Sequence, residues 1–436
     1  MQVTKGGVVS ALLAPVQLPK MFRARQTFPR PVILPSDIPA VINAELSQQK
    51  FADKLRPGMQ IAITAGSRGV ANVDIITKAI VDFVKSAGAQ PFVVPAMGSH
   101  GGATAEGQRQ VLADYGITEQ TMGCEIRSSM DTVYLGVSDT GRPVYIDKNA
   151  YESDGIIVSC RLKPHNAFRG EYESGPCKML CIGLGKQKGA ESVHSEGMIN
   201  IAKNIPSMAR LIIEKAPVLL AIPCMENAYD ETCRIEAIDA CDIMTREPQL
   251  LKYAFENMPR LIVGETDVLI VDEIGKNYSG TGVDPNITGT FSNDFTHGGI
   301  KVQRTCFLDL SEQSHGNALG AGLANVITLR LFDKIDAEAM YPNCITNTVF
   351  ASARIPCVMA TDKEAIQMCV RTTNGIDNPP EHIRAVRIKN SLHIGTVMLS
   401  EAYYNDVLAG RYENLEAIDE PMAMKFDEDG NLVTEI

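Results

Sequence analysis

Two units of strand, glycine turn and helix in series, between residues 59 and 116, constrain this chain more than anything else in it. Met59-Gln60-Ile61-Ala62-Ile63-Thr64 is an apolar run of strand length, and Gly66-Ser67-Arg68-Gly69 follows as a turn. Val73, Ile76, Ile80, Val84 and Ala87 then recur at helical spacing, with Gly88 past the helix end. The pattern repeats: Pro91-Phe92-Val93-Val94-Pro95 reads as a strand, Met97-Gly98-Ser99-His100-Gly101-Gly102 as a turn, and 104–115 as a helix closed by Gly116. Strands joined through helices lie parallel in one sheet, with the helices as crossovers. The expected class is therefore α/β, with parallel-rich sheets and crossover helices.

The rest of the chain continues in the same style. Short strands are expected over 124–147, a buried strand over 155–160, a helix over 198–215, a strand over 218–222 and a helix over 242–257. Asp267-Val268-Leu269-Ile270-Val271 is again strand-like and runs into a second glycine-rich stretch, 272–289. Beyond it the pattern predicts a strand over 300–310, helices over 319–332 and 363–372, and a strand pair near 384–399. A chain of 436 residues is long for one core. The expected division is an N-terminal domain over 1–262, a second α/β domain over 263–410, and an acidic tail over 411–436 packing back on the first. The active site is expected in the cleft between the two domains.

A net charge of −11 argues against general nucleic-acid binding and against an anionic membrane surface. No apolar run is long enough to span a bilayer. Eleven cysteines without a CxxC pair suggest neither a zinc site nor a disulfide framework, and fit a reducing cytoplasm. Four glycine-rich turns leave expected strand ends, at 66–69, 98–102, 161–178 and 275–289, and such turns converge on one rim of a sheet. They carry Arg68, His100, His165, Lys178 and Lys276, with His194 a short way beyond. None is a Walker loop or a GxGxxG fingerprint, so ATP and NAD are not indicated. His297, His315, His382 and His393 carry no comparable signal. Asp272 and Glu273 read equally as general-acid/base carboxylates or as a solvated pair at a strand end.

The set GSRG (66–69), PAMGSHGGAT (95–104), KPHNAFRG (163–170), Lys178, His194 and GKNYSGTGVDPNITG (275–289) resembles the nickel-dependent lactate racemase family, to roughly residue 400. The resemblance implies a two-domain α/β protein using a nickel pincer nucleotide, a pyridinium mononucleotide whose two sulfur arms and one ring carbon grip nickel. It implies a covalent tether through Lys178, and nickel ligation by His194, sixteen residues on. It maps the catalytic pair onto His100 and His165, cofactor contacts onto Ser67, Arg68 and Gly69, and substrate contacts onto Arg68, Lys276 and Glu273. The implied reaction is racemisation or epimerisation of a small 2-hydroxy carboxylic acid by reversible hydride transfer.

Some positions depart from the family pattern. The segment between His165 and Lys178 is longer, and Glu173-Ser174-Gly175-Pro176-Cys177 stands where the family has Ser-Gly-Gly before the lysine. Ala65 replaces an acidic residue, and Glu273 a glutamine. The expected substrate is therefore larger and more hydroxylated than lactate. Another enzyme activity on a sugar acid in the same cleft, and a cofactor-free binding protein of the same fold, stay open as alternatives. So do the stereochemical outcome and the oligomeric state.

Overall fold

The computed structural model describes residues 3–67, 69–374 and 379–436. The chain forms two compact units, Pro29–Met258 and Met1–Phe28 with Pro259–Ile436.

In the first unit, five strands run parallel in the order Val218–Glu226, Gly155–Arg161, Gln60–Ala65, Gln90–Pro95, Glu125–Ile126. Two short antiparallel strands, Thr232–Ile235 and Ile238–Asp239, close one edge. Strand order reverses once. From Gln60–Ala65 the chain crosses to Gln90–Pro95 on one side, then returns to Gly155–Arg161 on the other. The helix Val73–Ser86 turns Ile76, Ile80 and Val84 onto the sheet, as its spacing requires, and Gly88 leaves at φ +78°. The expected short strands over 124–147 resolve into Glu125–Ile126 in the sheet and a separate hairpin, Thr132–Val137 with Pro143–Asp147.

The second unit holds a mixed sheet. Cys357–Met359, Val326–Thr328, Lys301–Leu310, Glu265–Ile274 and Ala385–Ile388 are parallel, and Thr396–Ser400, Met21–Gln26 and Leu415–Ala417 continue it antiparallel. Its strand order reverses at Glu265–Ile274, between Lys301–Leu310 and Ala385–Ile388.

The units differ from the expected domains. Residues 1–28 belong to the second unit, because the strand Met21–Gln26 pairs with Thr396–Ser400 and Leu415–Ala417. The acidic tail packs on the second unit, not the first: Met21 bridges Met422, Asp362 accepts the Leu432 amide at 2.9 Å, and Arg387 donates to the Thr434 carbonyl at 2.7 Å. Pairing between residues four hundred apart leaves no local trace in a sequence. The expected helix over 319–332 is instead a 3₁₀ turn (Ala321–Leu323), the strand Val326–Thr328 and a five-residue helix, Leu329–Asp333. Thr328 caps that helix by accepting the Leu331 amide, and parallel pairing on both sides holds the strand. Among the described residues no helix is long and apolar enough to cross a membrane, and all eleven cysteines are free thiols.

Arg387 binds Asp272 through both carboxylate oxygens, at 2.7 and 2.8 Å, so Asp272 is occupied structurally. Arg387→Met leaves that half-buried carboxylate without its arginine and should cost about 1–3 kcal/mol of stability, read as a lower urea midpoint. Arg387→Met with Asp272→Leu should recover most of the loss. A double variant as unstable as the single one would contradict this.

Candidate functional site

In the first unit, ligands are expected outside the carboxyl ends of the strands where the order reverses. That place lies between Gln60–Ala65 and Gly155–Arg161, and the chain leaves it through the 66–69 turn and the 161–178 segment. The first turn is clamped from both sides. Tyr115 donates its hydroxyl to the Ser67 carbonyl at 3.2 Å, and Arg161 donates to the Gly69 carbonyl at 3.3 Å. Arg161 also pairs with Glu226, which accepts the Ala71 amide at 2.7 Å. Arg68 lies outside the described residues. His100, on the neighbouring turn, is exposed and shares a hydrogen bond between its Nδ1 and Ser67 Oγ. Its turn lies tight on the first turn of the helix Ala105–Asp114. A Cβ at Gly101 would stand 2.7 Å from the Gln108 nitrogen, and one at Gly107 would stand 2.0 Å from the Gly101 oxygen.

The 161–178 segment folds back on itself around a buried carboxylate. Lys163 and Ser174 bridge through their backbones. Glu173, 1% exposed, accepts the His165 amide at 2.6 Å and the Gly170 amide at 3.3 Å, and pairs with Arg169 at 3.5 Å. The longer insert thus carries its own anchor. Burial raises the Glu173 pKa, against the pull of those donors. The Ala167 amide donates to His165 Nδ1 at 3.0 Å, which places the proton of the neutral ring on Nε2. Burial first, then the positive charges of Lys178 and Lys163, hold the His165 pKa well below the usual histidine range. The ring is neutral at physiological pH.

Lys178 ends a one-turn helix, Pro176–Lys178, and a π-helical turn, Met179–Gly183, follows directly. Such turns are rare and cluster at functional sites. The helix start is wedged onto Glu247, whose Oε2 accepts the Cys177 amide at 2.8 Å. A Cβ at Gly175 would stand 2.5 Å from Glu247 Oε1, so a larger residue there would have to push that buried carboxylate aside. The flanking thiols are inert: burial pushes Cys177 far up and Cys181 up to about 12. His194 is the last residue of the helix Lys186–His194. Its Nδ1–H donates to the Ala190 carbonyl at 2.7 Å, leaving the Nε2 lone pair of the neutral ring available to a metal. Burial first, then the Lys178 charge, lowers its pKa and favours that form. Lys178, His165 and His194 therefore share one neighbourhood. Among the described residues no group of three or more His, Cys, Asp or Glu side chains could hold a metal by itself.

Glu273 and Lys276 belong to the second unit, at the carboxyl end of the strand Glu265–Ile274, where that sheet's order reverses. Glu273 accepts the Tyr278 hydroxyl. The Lys276 ammonium donates to the Gly280 carbonyl at 2.7 Å and its amide to Ser314 Oγ at 2.9 Å. Glu247, Gln108 and Lys186 were not among the expected site residues. For Glu247 a signal was present: it shares the buried helical stripe of Ile243, Leu250, Leu251 and Ala254, where a charge is costly.

The first unit is thus an α/β body whose parallel sheet reverses strand order beside the segment carrying His165, Lys178 and His194. Residues 13–205 match the family model of the lactate racemase N-terminal domain, a stretch that includes both site turns, Lys178 and His194. Over that stretch, somewhat under half of its length, the chain is similar to the lactate racemase-like family. No curated protein matches it. Among solved structures, the lactate racemase apoprotein from Thermoanaerobacterium thermosaccharolyticum aligns over 79% of this chain and 80% of its own, at 14% identity and a TM-score of 0.46.

Burial raises the Glu247 pKa from 4.5 to about 7. An acid whose pKa rises on folding contributes stability below its unfolded pKa and loses it as pH climbs through the folded value. Between pH 5 and pH 8 the wild type should therefore lose stability relative to Glu247→Gln, by about 1–3 kcal/mol, measured by urea unfolding. Parallel pH profiles for the two proteins would contradict this.

Proposed function

We propose that the protein is a racemase or epimerase of 2-hydroxy carboxylic acids that uses a nickel pincer nucleotide held by Lys178 and His194. One observation carries this reading. Lys178 and His194 sit beside a second neutral histidine, His165, and the His194 tautomer leaves a bare Nε2. The residues fit the group: a primary amine for the tether and one imidazole donor for a metal whose remaining donors belong to the cofactor. Bound there, the cofactor supplies nickel and an electrophilic ring able to accept a hydride from the substrate's C2.

The chain's own residues handle the hydroxyl proton and the carboxylate. His100 shares its Nδ1 with Ser67 Oγ; in the tautomer whose Nδ1–H donates to that hydroxyl, Nε2 is free of a proton and can exchange one with the substrate hydroxyl. His165 is set differently. With Nδ1 engaged by the Ala167 amide, the neutral ring offers its Nε2–H as a hydrogen-bond donor, and it takes up a proton, and can then return one, only once that amide is released. Arg68 and Lys276 are the cations assigned to the substrate carboxylate. Lys276 must exchange its bond to the Gly280 carbonyl for that task. Glu273 and Tyr278, once they exchange their mutual hydrogen bond, offer an acceptor and a donor to further hydroxyl groups, which favours a sugar acid or a substituted hydroxy acid over lactate.

Substrate deuterated at C2 should give inverted product that keeps its deuterium in ordinary water. Replacing either His100 or His165 with Ala should slow both directions by about 10²–10⁴-fold. Loss of the label to solvent at the rate of inversion would overturn the reading.

A further inference from the structure

Lys186 is the least expected side chain in the first unit. It is fully buried, and its backbone stands at φ +54°, a conformation that costs a non-glycine residue energy. A buried ammonium also needs a partner of opposite charge. Both costs are met by one cluster. Lys186 Nζ lies 3.1 Å from Asp147 Oδ2 and donates to the Pro95 carbonyl at 2.5 Å and to Gln108 Oε1 at 3.2 Å. Gln108 is itself fully buried, and its amide nitrogen donates to the Gly98 carbonyl at 2.8 Å and the His100 carbonyl at 3.2 Å. Asp147 is tied in turn to the segment that follows Lys178, its amide donating to the Leu184 carbonyl at 2.7 Å. The His100 turn meets the same segment directly at one point, where the Gly98 amide donates to the Gly183 carbonyl at 3.1 Å.

We propose that Lys186 is a positioning residue for His100. Through Gln108 it fixes the carbonyl of His100 itself, and so holds that ring at a set place relative to Lys178 and His194. The proposal rests on the reading of His100 as an acid–base group. Lys186 takes no part in chemistry, since its ammonium is enclosed by Asp147, Gln108 and a carbonyl. That enclosure also separates it from Lys178, eight residues earlier, as a site of attachment.

Lys186→Met alone would strand the Asp147 carboxylate. The informative protein is therefore Lys186→Met with Asp147→Asn, which removes both charges and keeps a side chain that can still accept the Ala150 amide. In the full chain labelled with [13C]histidine, the His100 Cε1–Hε1 resonance should shift and broaden, while those of His165 and His194 stay in place. Amides of residues 97–104 should exchange about tenfold faster, with the strand Gln60–Ala65 unchanged. An unmoved His100 signal in the folded double variant would overturn the proposal. So would uniform acceleration of exchange across the unit, which would make Lys186 only a stabiliser. If the double variant does not fold, Gln108→Leu, which leaves the ion pair intact, decides on the same two signals. Wild-type protein that carries the cofactor yet inverts no hydroxy acid would sink the functional reading and leave these signals as expected.

Discussion

The site depends on one topological constraint, the reversal of strand order beside Gln60–Ala65. A parallel strand delivers its chain to the same edge of the sheet every time, and a reversal parts the crossovers on either side. The opening that results receives the turn after Ala65 and the segment after Arg161. Neighbouring strands add the His100 turn and, through the Arg161–Glu226 pair, a clamp on the first turn. Groups separated by a hundred residues become neighbours without any of them having to find the others.

Around that opening the polar groups fall into two sets. Glu173, Glu247, Asp147 and Lys186 are buried and spent on backbone amides, carbonyls or one another. They fix the path of the chain. His165, His194 and Lys178 are only half-buried, and the surroundings of the two rings set their protonation state. Burial together with nearby cations keeps both imidazoles neutral. Neutral rings can ligate a metal or exchange a proton near pH 7, where charged ones cannot. The buried set is what allows the half-buried set to keep its geometry in a polar, glycine-rich loop.

The strand–turn–helix units were legible from apolar spacing alone, and so was the convergence of glycine turns, because both follow from local periodicity. The helix Val73–Ser86 and the strand Gly155–Arg161 fall where their residues place them. What depends on distant pairing was not legible. The Met21–Gln26 strand alternates in burial as edge-seeking strands do, but nothing local says that its partners are 396–400 and 415–417. The 319–332 stretch is apolar enough for a helix, and sheet pairing takes its centre instead. At the site, the residue types marked His100, His165, Lys178 and His194. Their supports were unequally legible. Glu247 could have been flagged by its place in the apolar stripe of its helix, whereas Lys186, in a run of glycines, is read as ordinary surface charge until its burial is known.

The central claim is that Lys178 is the attachment point and that His194 completes a metal sphere beside it. Intact mass and nickel content, measured on protein produced together with the enzymes that make the cofactor, test it most directly. The account predicts a nucleotide-sized adduct with nickel on the wild type, none on Lys178→Ala, and an adduct that has lost its nickel on His194→Ala. An adduct that persists in Lys178→Ala, or maps to Lys186 or Lys188, would contradict it.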